Sequence, residues 1–459
     1  MTAIHLREAF TARVTWAVIL TVPIVMGMSR AWAQTDPGIR TGAPAAGAVV
    51  SGASSNESKF FSAGKDAFSE VQTADGAGGT EAGLGPRFNL NSCAGCHAFP
   101  AVGGASPAAN PQVSVGPASQ VNLLTSLGII SASGPVREVR FKSDGGVHDL
   151  FTIVGVPGGP SNCSILQPDF SGHLSSKDVV FRIPTPTFGS GLIEAIPDST
   201  ILAAAAIPKP FGIRGHVNRN GNDGTVTRFG WKAQNKSLVI FSGEAYNVEQ
   251  GVTNEVFPDD RGEAGNPDPP GCRTQGNDQD HTNFDSGSPE NTPSDVVGFS
   301  NFMRFLAPPQ PAIAGYTGSN RNVSVGSASI ANGLAVFTAV GCIACHLAAM
   351  PTGRHSSPAL SNKVAALFSD LLVHNMGSLG DGISQGSAGP NEFRTAPLWG
   401  LGQRIFLLHD GRTKDLMEAI QAHANGGSDS SSEAQQVIQR FNARGRQDQQ
   451  DVLNFLRSL

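Results

Sequence analysis

Two pentapeptides constrain this chain more than anything else in it: Cys93-Ala94-Gly95-Cys96-His97 and Cys342-Ile343-Ala344-Cys345-His346. Each sets two thiols three residues apart with an imidazole directly after the second. That spacing lets both sulfurs reach the vinyl groups of a haem while the imidazole ligates its iron. A zinc ribbon places its CxxC pairs roughly 15–20 residues apart. Here they lie about 250 apart, and a His follows both, which also separates them from a thioredoxin-like redox pair. The motifs predict two covalently bound haem c groups, one on Cys93, Cys96 and His97 and one on Cys342, Cys345 and His346, with His97 and His346 on the iron.

At 459 residues the chain is too long for a single small haem module. Only 15% of residues are charged, and 55 glycines with 30 prolines point to a globular, loop-rich protein. With a net charge of −5 and no Lys/Arg run, nucleic acid is not an expected partner, while a basic redox protein is compatible. Arg7 and Arg13 precede an apolar run from Trp16 to Met28, and Ala31-Trp32-Ala33 supplies a cleavage pattern. Residues 1–33 therefore read as a signal peptide, with an uncleaved anchor as the alternative. Export to the periplasm and no stable membrane insertion after cleavage are expected. Cys163 and Cys272 remain unassigned; in an oxidising compartment they are expected to pair as a disulfide, the alternative being two separate buried thiols.

Residues 34–57, rich in Gly, Ala and Ser, are expected to form a flexible lead-in. From Ser58 to about Thr73, Phe60, Ala67 and Val71 recur at helical spacing, as do Phe61 and Phe68, which predicts an amphipathic helix that carries Gly64 on its stripe. Val139 and Phe141 alternate with charged residues, Ser143-Asp144-Gly145-Gly146 marks a turn, and the segment from Leu150 to Val154 suits a strand, so a β-hairpin is expected there. Pro, Gly and Asp clusters over 257–293 predict an interdomain loop, after which Ser294 caps a helix to about Leu306. Leu334, Phe337 and Val340 stripe a helix that leads into Cys342, and two further helices, Glu433 to about Asn442 and Gln447 to Leu459, end the chain. The expected fold is mainly α, with two cytochrome c-like haem domains, 58–256 and 294–459, long loops and a small β-hairpin insertion.

Gly85-Pro86-Arg87-Phe88-Asn89, the segment from Arg182 to Asp198, Arg228-Phe229-Gly230-Trp231-Lys232-Ala233 and Leu408-His409-Asp410-Gly411-Arg412 resemble the dihaem oxidoreductase family over nearly the whole mature chain. That family is related to the bacterial dihaem cytochrome c peroxidases and to the dihaem enzyme that matures methylamine dehydrogenase. The resemblance implies one haem that reacts with peroxide, a second that stores or relays an electron, and a calcium ion between them, for which it assigns no ligands. Relatives place the sixth ligand of the electron-transfer haem fourteen residues after the His of an F-H-D-G segment. Counted from His409 this reaches His423, and a bis-His iron of lowered reduction potential follows, with Met376 or Met417 as alternatives. Trp231 takes the place of the Trp in the relatives' F-W-D-G segment, on the electron route. Glu249-Gln250-Gly251 is similar to their E-M-G, which implies acid–base work for Glu249, with Glu244 and Glu194 in reserve. Each of these carboxylates also reads as an exposed or salt-bridged group, and Trp231 as core. One position departs from the pattern: Phe241 stands where peroxidase relatives carry a distal Gln. An apolar wall there favours dioxygen binding or substrate oxidation over rapid peroxide turnover. His148, His173, His216 and His281 sit in polar, turn-like contexts and are expected to face solvent.

The chain is thus expected to be a periplasmic, peroxidase-like oxidoreductase that draws electrons from a small redox protein or other donor and reduces peroxide or a related oxidant. A non-enzymatic dihaem electron carrier is one contrasting reading. A dihaem oxygenase or protein-modifying oxidant is the other.

Overall fold

The computed structural model describes residues 34–76, 81–262, 268–272, 280, 294–424 and 432–459. The leader read over residues 1–33, His281 and most of the 257–293 loop lie outside them.

Three helices frame the first half of the core: α1 (Ser55–Ser69), α2 (Leu238–Gln250) and α3 (Asp295–Phe305). A capping box opens α1, with Ser54 accepting from the Glu57 amide and the Glu57 carboxylate accepting from the Ser54 amide at 2.6 Å. The helix buries Phe61, Gly64 and Phe68, whereas Val71 of the alternative stripe is exposed. Gly64 explains the choice: it lies against Gly298 of α3 so closely that a Cβ would meet the Gly298 carbonyl oxygen at 2.2 Å. Phe61, Phe68, Phe299 and Phe302 then interlock around this crossing, with ring centroids 5.0–5.8 Å apart. Ser294 caps α3 by accepting from the Val297 amide.

The segment after the first motif is stitched by short strands β1 (Arg87–Phe88), β2 (Glu138–Phe141), β3 (Val147–His148), β4 (Phe151–Thr152) and β5 (Val179–Arg182). β2 and β3 form the expected hairpin, and β5 joins the other edge of β2 with Glu138 opposite Arg182. The strand expected after the turn leaves the hairpin: β4 pairs with β1, setting Phe151 opposite Phe88. Val139 and Phe141 point into the core while Glu138 and Arg140 share the opposite face.

In the second half, α4 (Ser327–Val340) packs on the last helix, α7 (Arg446–Ser458), with α5 (Leu416–Ala422) and α6 (Gln435–Asn442) beside them. Gly333 permits that contact, because a Cβ there would meet the Asp451 carbonyl oxygen at 1.9 Å. Phe337 and Val340 are buried as expected, but Leu334 is exposed and Ile330 and Val336 complete the stripe.

Residues 34–57, expected as a flexible lead-in, are tied to the body, and the last three of them open α1. The Asp36 carboxylate accepts from Arg457 at 2.7 Å, and the Val50 amide donates to the Phe305 carbonyl at 2.7 Å. A disulfide joins Cys163 to Cys272. Residues Gln34–Leu459 form one compact unit. No helix among the described residues is long and apolar enough to cross a membrane.

The expectation of a mainly α, cytochrome c-like fold is corrected. Of the described residues only 34% are helical and 13% are strand, spread over many small sheets. Among the described residues these are six two-stranded ladders and one of three strands. Strands of two to four residues are too short to write a period-2 pattern into a sequence, so Gly- and Pro-rich stretches that pair this way read as loops.

Candidate functional site

Each CxxCH motif opens onto its own cavity. Cys93 to Cys96 form a single helical turn, and the His97 amide closes it onto the Cys93 carbonyl at 3.0 Å. The His97 ring is fixed by its Nδ1, which donates to the Gly104 carbonyl at 3.0 Å, and by an edge contact with Phe68. A carbonyl only accepts, so Nδ1 carries the proton and Nε2 is the free, basic nitrogen. Burial lowers the His97 pKa to about 4, which keeps the imidazole neutral. The cavity it lines is also walled by Cys93, Cys96, Trp231, Phe241 and Glu249.

The second motif is built alike. α4 ends at Gly341, Cys342–Ala344 make a short turn, and His346 donates from Nδ1 to the Phe368 carbonyl at 2.9 Å. Burial takes its pKa to about 4 as well. The cavity it lines is also lined by His423, delivered at the end of α5 with Nδ1 donating to the Ala419 carbonyl at 2.8 Å. Two imidazoles, each with Nδ1 engaged and Nε2 left over, therefore line one cavity, and the charge of His423 is felt at His346. Asp415 makes the delivery possible by capping α5, its carboxylate accepting from the Met417 and Glu418 amides at 2.7 and 3.1 Å. Met376 also lines this cavity; Met417 is buried in the helical core beside it.

These donor sets fit haem. Each offers two thiols and a neutral imidazole. Burial pushes Cys93 and Cys342 up to about 12 and raises Cys96 too, surroundings that disfavour the thiolates a zinc site needs. No cluster of three or more His, Cys, Asp or Glu suited to a metal ion occurs among the described residues.

Trp231 lines both cavities. Its indole Nε1 donates to the Ile183 carbonyl at 2.8 Å, and its ring meets His409 edge-on with centroids 6.3 Å apart. Glu249 reaches the first cavity from the last turn of α2, whose end is docked on the haem-motif loop through the Glu249 carbonyl, which accepts from the Asn89 amide at 2.8 Å. Burial, then the charges of Glu138 and Asp149, raise its carboxyl pKa to about 8. Phe241 lies two turns earlier on the same face of α2 and lines the same cavity.

Glu244 and Glu194 do not reach this cavity. Glu244 accepts from the Asn235 amide group and lines a separate polar cleft. Glu194 accepts from the Leu238 amide at 2.8 Å, so that it caps α2, and pairs with Arg304 at 2.9 Å. His148, expected in solvent, is buried and stacked on Phe141, whose ring also stacks with His173. His216 is partly exposed and pairs with Glu392 at 3.0 Å. Glu138, Arg140 and Arg182 were not anticipated, yet they line the first cavity from β2 and β5. Their signal was present in the alternation of Val139 and Phe141 with charges, but alternation does not tell a face turned to a cavity from one turned to water.

The family model described as "Di-haem oxidoreductase, putative peroxidase" matches residues 161–459, which takes in the second motif, Trp231 and Glu249 and begins after the first motif. No curated protein matches the chain. Among solved structures, the hydrazine synthase of Kuenenia stuttgartiensis pressurised with xenon is similar at 18% identity and a TM-score of 0.23, over 37% of this chain and 56% of that one. The chain thus spans little more than half the length of that relative. With the family match extending over well beyond half of its residues, the protein belongs to the di-haem oxidoreductases, a family that carries two haem groups.

Proposed function

We propose that the protein is an exported, periplasmic c-type di-haem oxidoreductase that reduces peroxide or a related oxidant at its first haem and takes electrons in at its second. The observation that carries this reading is Trp231, which lines both cavities, with the Glu249 carboxyl in one and the His346 and His423 imidazoles in the other. Cys93, Cys96, Cys342 and Cys345 would tie the haems by thioether bonds, with His97 and His346 on the irons. When bound, the haems supply the electrons that splitting an O–O bond consumes. His346 and His423 would both hold the second haem, which would then supply electron entry from a small redox protein rather than a site for an oxidant. The Glu249 carboxylate accepts a proton from the incoming peroxide, and the resulting carboxyl returns it to the departing oxygen. Trp231, held by Ile183, bridges the two cavities with an aromatic ring.

A second reading rests on Phe241. A phenyl ring on the wall of the first cavity gives the oxidant no hydrogen bond, which suits an oxygenase or a protein-modifying oxidant. Low-temperature EPR of the diferric protein before and after hydrogen peroxide tests the main reading. The expected result is a high-spin signal beside a low-spin bis-His signal, with peroxide consuming the high-spin component. Glu249→Gln should then lower peroxide turnover by about 10²–10⁴-fold with haem content intact. Two low-spin signals indifferent to peroxide in both oxidised and half-reduced protein would instead make this an electron carrier.

A further inference from the structure

Arg394 and Arg404 stand on the wall of the second cavity beside Trp231, with 8% and 9% of their surfaces exposed. Arg394 Nη1 and Arg404 Nε and Nη2 have no hydrogen-bond partner. Two other buried arginines of this chain meet carboxylates: Arg182 pairs with Asp381 at 2.6 Å and Arg457 with Asp36 at 2.7 Å. No carboxylate acts on these two. Burial pulls both guanidinium groups down to about 10, and the next influence on Arg394 is the positive charge of Arg404 itself. A guanidinium does not shed its proton inside a protein, so two like charges buried together need an anion between them.

Their placement says where that anion sits. The Arg394 amide donates to the Trp231 carbonyl and its Nε to the Gly230 carbonyl, both at 2.9 Å, which leaves Nη1 as the unspent donor. The Arg404 guanidinium lies 5.7 Å from the centre of the Trp231 ring. Both guanidinium groups therefore belong to the stretch of cavity wall that Trp231 shares, and the one carboxylate residue lining that cavity among the described residues, Glu433, is already paired with His374 at 2.8 Å.

Resting on the reading that a haem fills this cavity, we propose that Arg394 and Arg404 form the carboxylate clamp of the second haem, binding its propionates at the edge that faces Trp231. A haem is apolar except for two propionates on one edge, and a guanidinium fork matches a carboxylate with two parallel N–H bonds. The clamp sets the haem's rotation in the cavity and turns its carboxylate edge toward the bridging indole. It also places positive charge beside the iron, which favours the reduced state and offsets the low potential that two imidazole ligands impose.

The test uses the haem-loaded full-length protein and its Arg394→Gln, Arg404→Gln and Arg404→Lys variants. Haem per chain is read from absorbance, the midpoint of the low-spin haem by potentiometric titration across pH, and the carboxylate bonding by the propionate bending bands in resonance Raman. Both glutamine variants are expected to keep two haems, shift the low-spin midpoint downward, and make it pH-dependent as the freed propionate takes up a proton. Arg404→Lys keeps the charge but loses the fork, so its midpoint stays near that of the wild type while its Raman band shifts. Where a glutamine variant does not accumulate, the lysine variant decides alone. Unchanged Raman bands and midpoints in loaded variants overturn the clamp. An effect that tracks added chloride or acetate rather than the propionate bands means the pair binds a free anion, and also overturns it. A wild-type protein without haem on Cys342 and Cys345 removes the underlying reading instead, an outcome told apart by the haem count.

Discussion

Glu249 enters its cavity as a carboxyl rather than a carboxylate. Burial disfavours the charge, and Glu138 and Asp149 add like-signed repulsion, so its pKa is raised to about 8. The sign for catalysis follows directly. A base must be ionised to take a proton, and a raised pKa makes the ionised fraction small at neutral pH and growing as pH rises through about 8. We expect kcat/KM for hydrogen peroxide, measured from about pH 6 to 10, to climb across that interval in the wild type and to be low and flat in Glu249→Gln. An identical climb in the variant would assign the titration to another group. At this scale the sequence was most informative where chemistry fixes spacing. His97 and His346 follow from their motifs alone, whereas His423 came only from the family resemblance, whose count of fourteen residues ends on a side chain lining the same cavity as His346. It was least informative for Glu138, Arg140 and the Arg394 and Arg404 pair, because a charge is written the same way whether it faces water, a cavity or a cofactor.

The helix crossings show what the elements owe to single positions. At the α1–α3 crossing a Cβ on Gly64 would stand 2.2 Å from the Gly298 carbonyl oxygen, a backbone atom that does not move aside. Gly64→Ala gains about 1 kcal/mol of helix propensity but must spread the helices that hold Phe68 and Phe299 against the first cavity. Overpacking of this kind costs about 1–3 kcal/mol, so the clash wins. The expected result is a lower thermal midpoint with disturbed absorbance of the first haem and an unaltered second, and an equal or higher midpoint would show that the crossing relaxes freely. Helix existence was legible from periodicity for α1, α4 and α7, and from the Ser294 cap for α3. The buried face was not always so: at α1 two stripes competed, and only Gly64, which looked like a weakness in the helix, marks the one that packs. The short ladders were illegible, since β1 and β4 hold two residues each and meet across more than sixty residues of chain. Their pairing is a property of the tertiary structure, and the mainly α expectation failed on it.

Across the whole molecule, the disulfide between Cys163 and Cys272 closes a loop with a sequence separation of 109, and Trp231, Phe241 and Glu249 all lie inside it. In the chain-entropy model a loop of about 100 residues is worth roughly 4.7 kcal/mol, and removing native disulfides costs about 2–5 kcal/mol, through the unfolded chain more than through any native contact. The local support near the bond is modest: Cys272 is buried and Arg87 reaches Asp268 at 3.0 Å, but the cavity-lining helix α2 hangs on the interior of this loop. Cys163→Ser with Cys272→Ser should therefore lower the free energy of denaturant unfolding by about 2–5 kcal/mol while the folded protein keeps both haems, its low-spin signal and its peroxide response. That separation of stability from site distinguishes a restraint on the unfolded chain from a scaffold for the cavity. Loss of the high-spin signal at unchanged unfolding free energy would reverse the assignment, making the bond the element that holds α2 and Glu249 against the first haem.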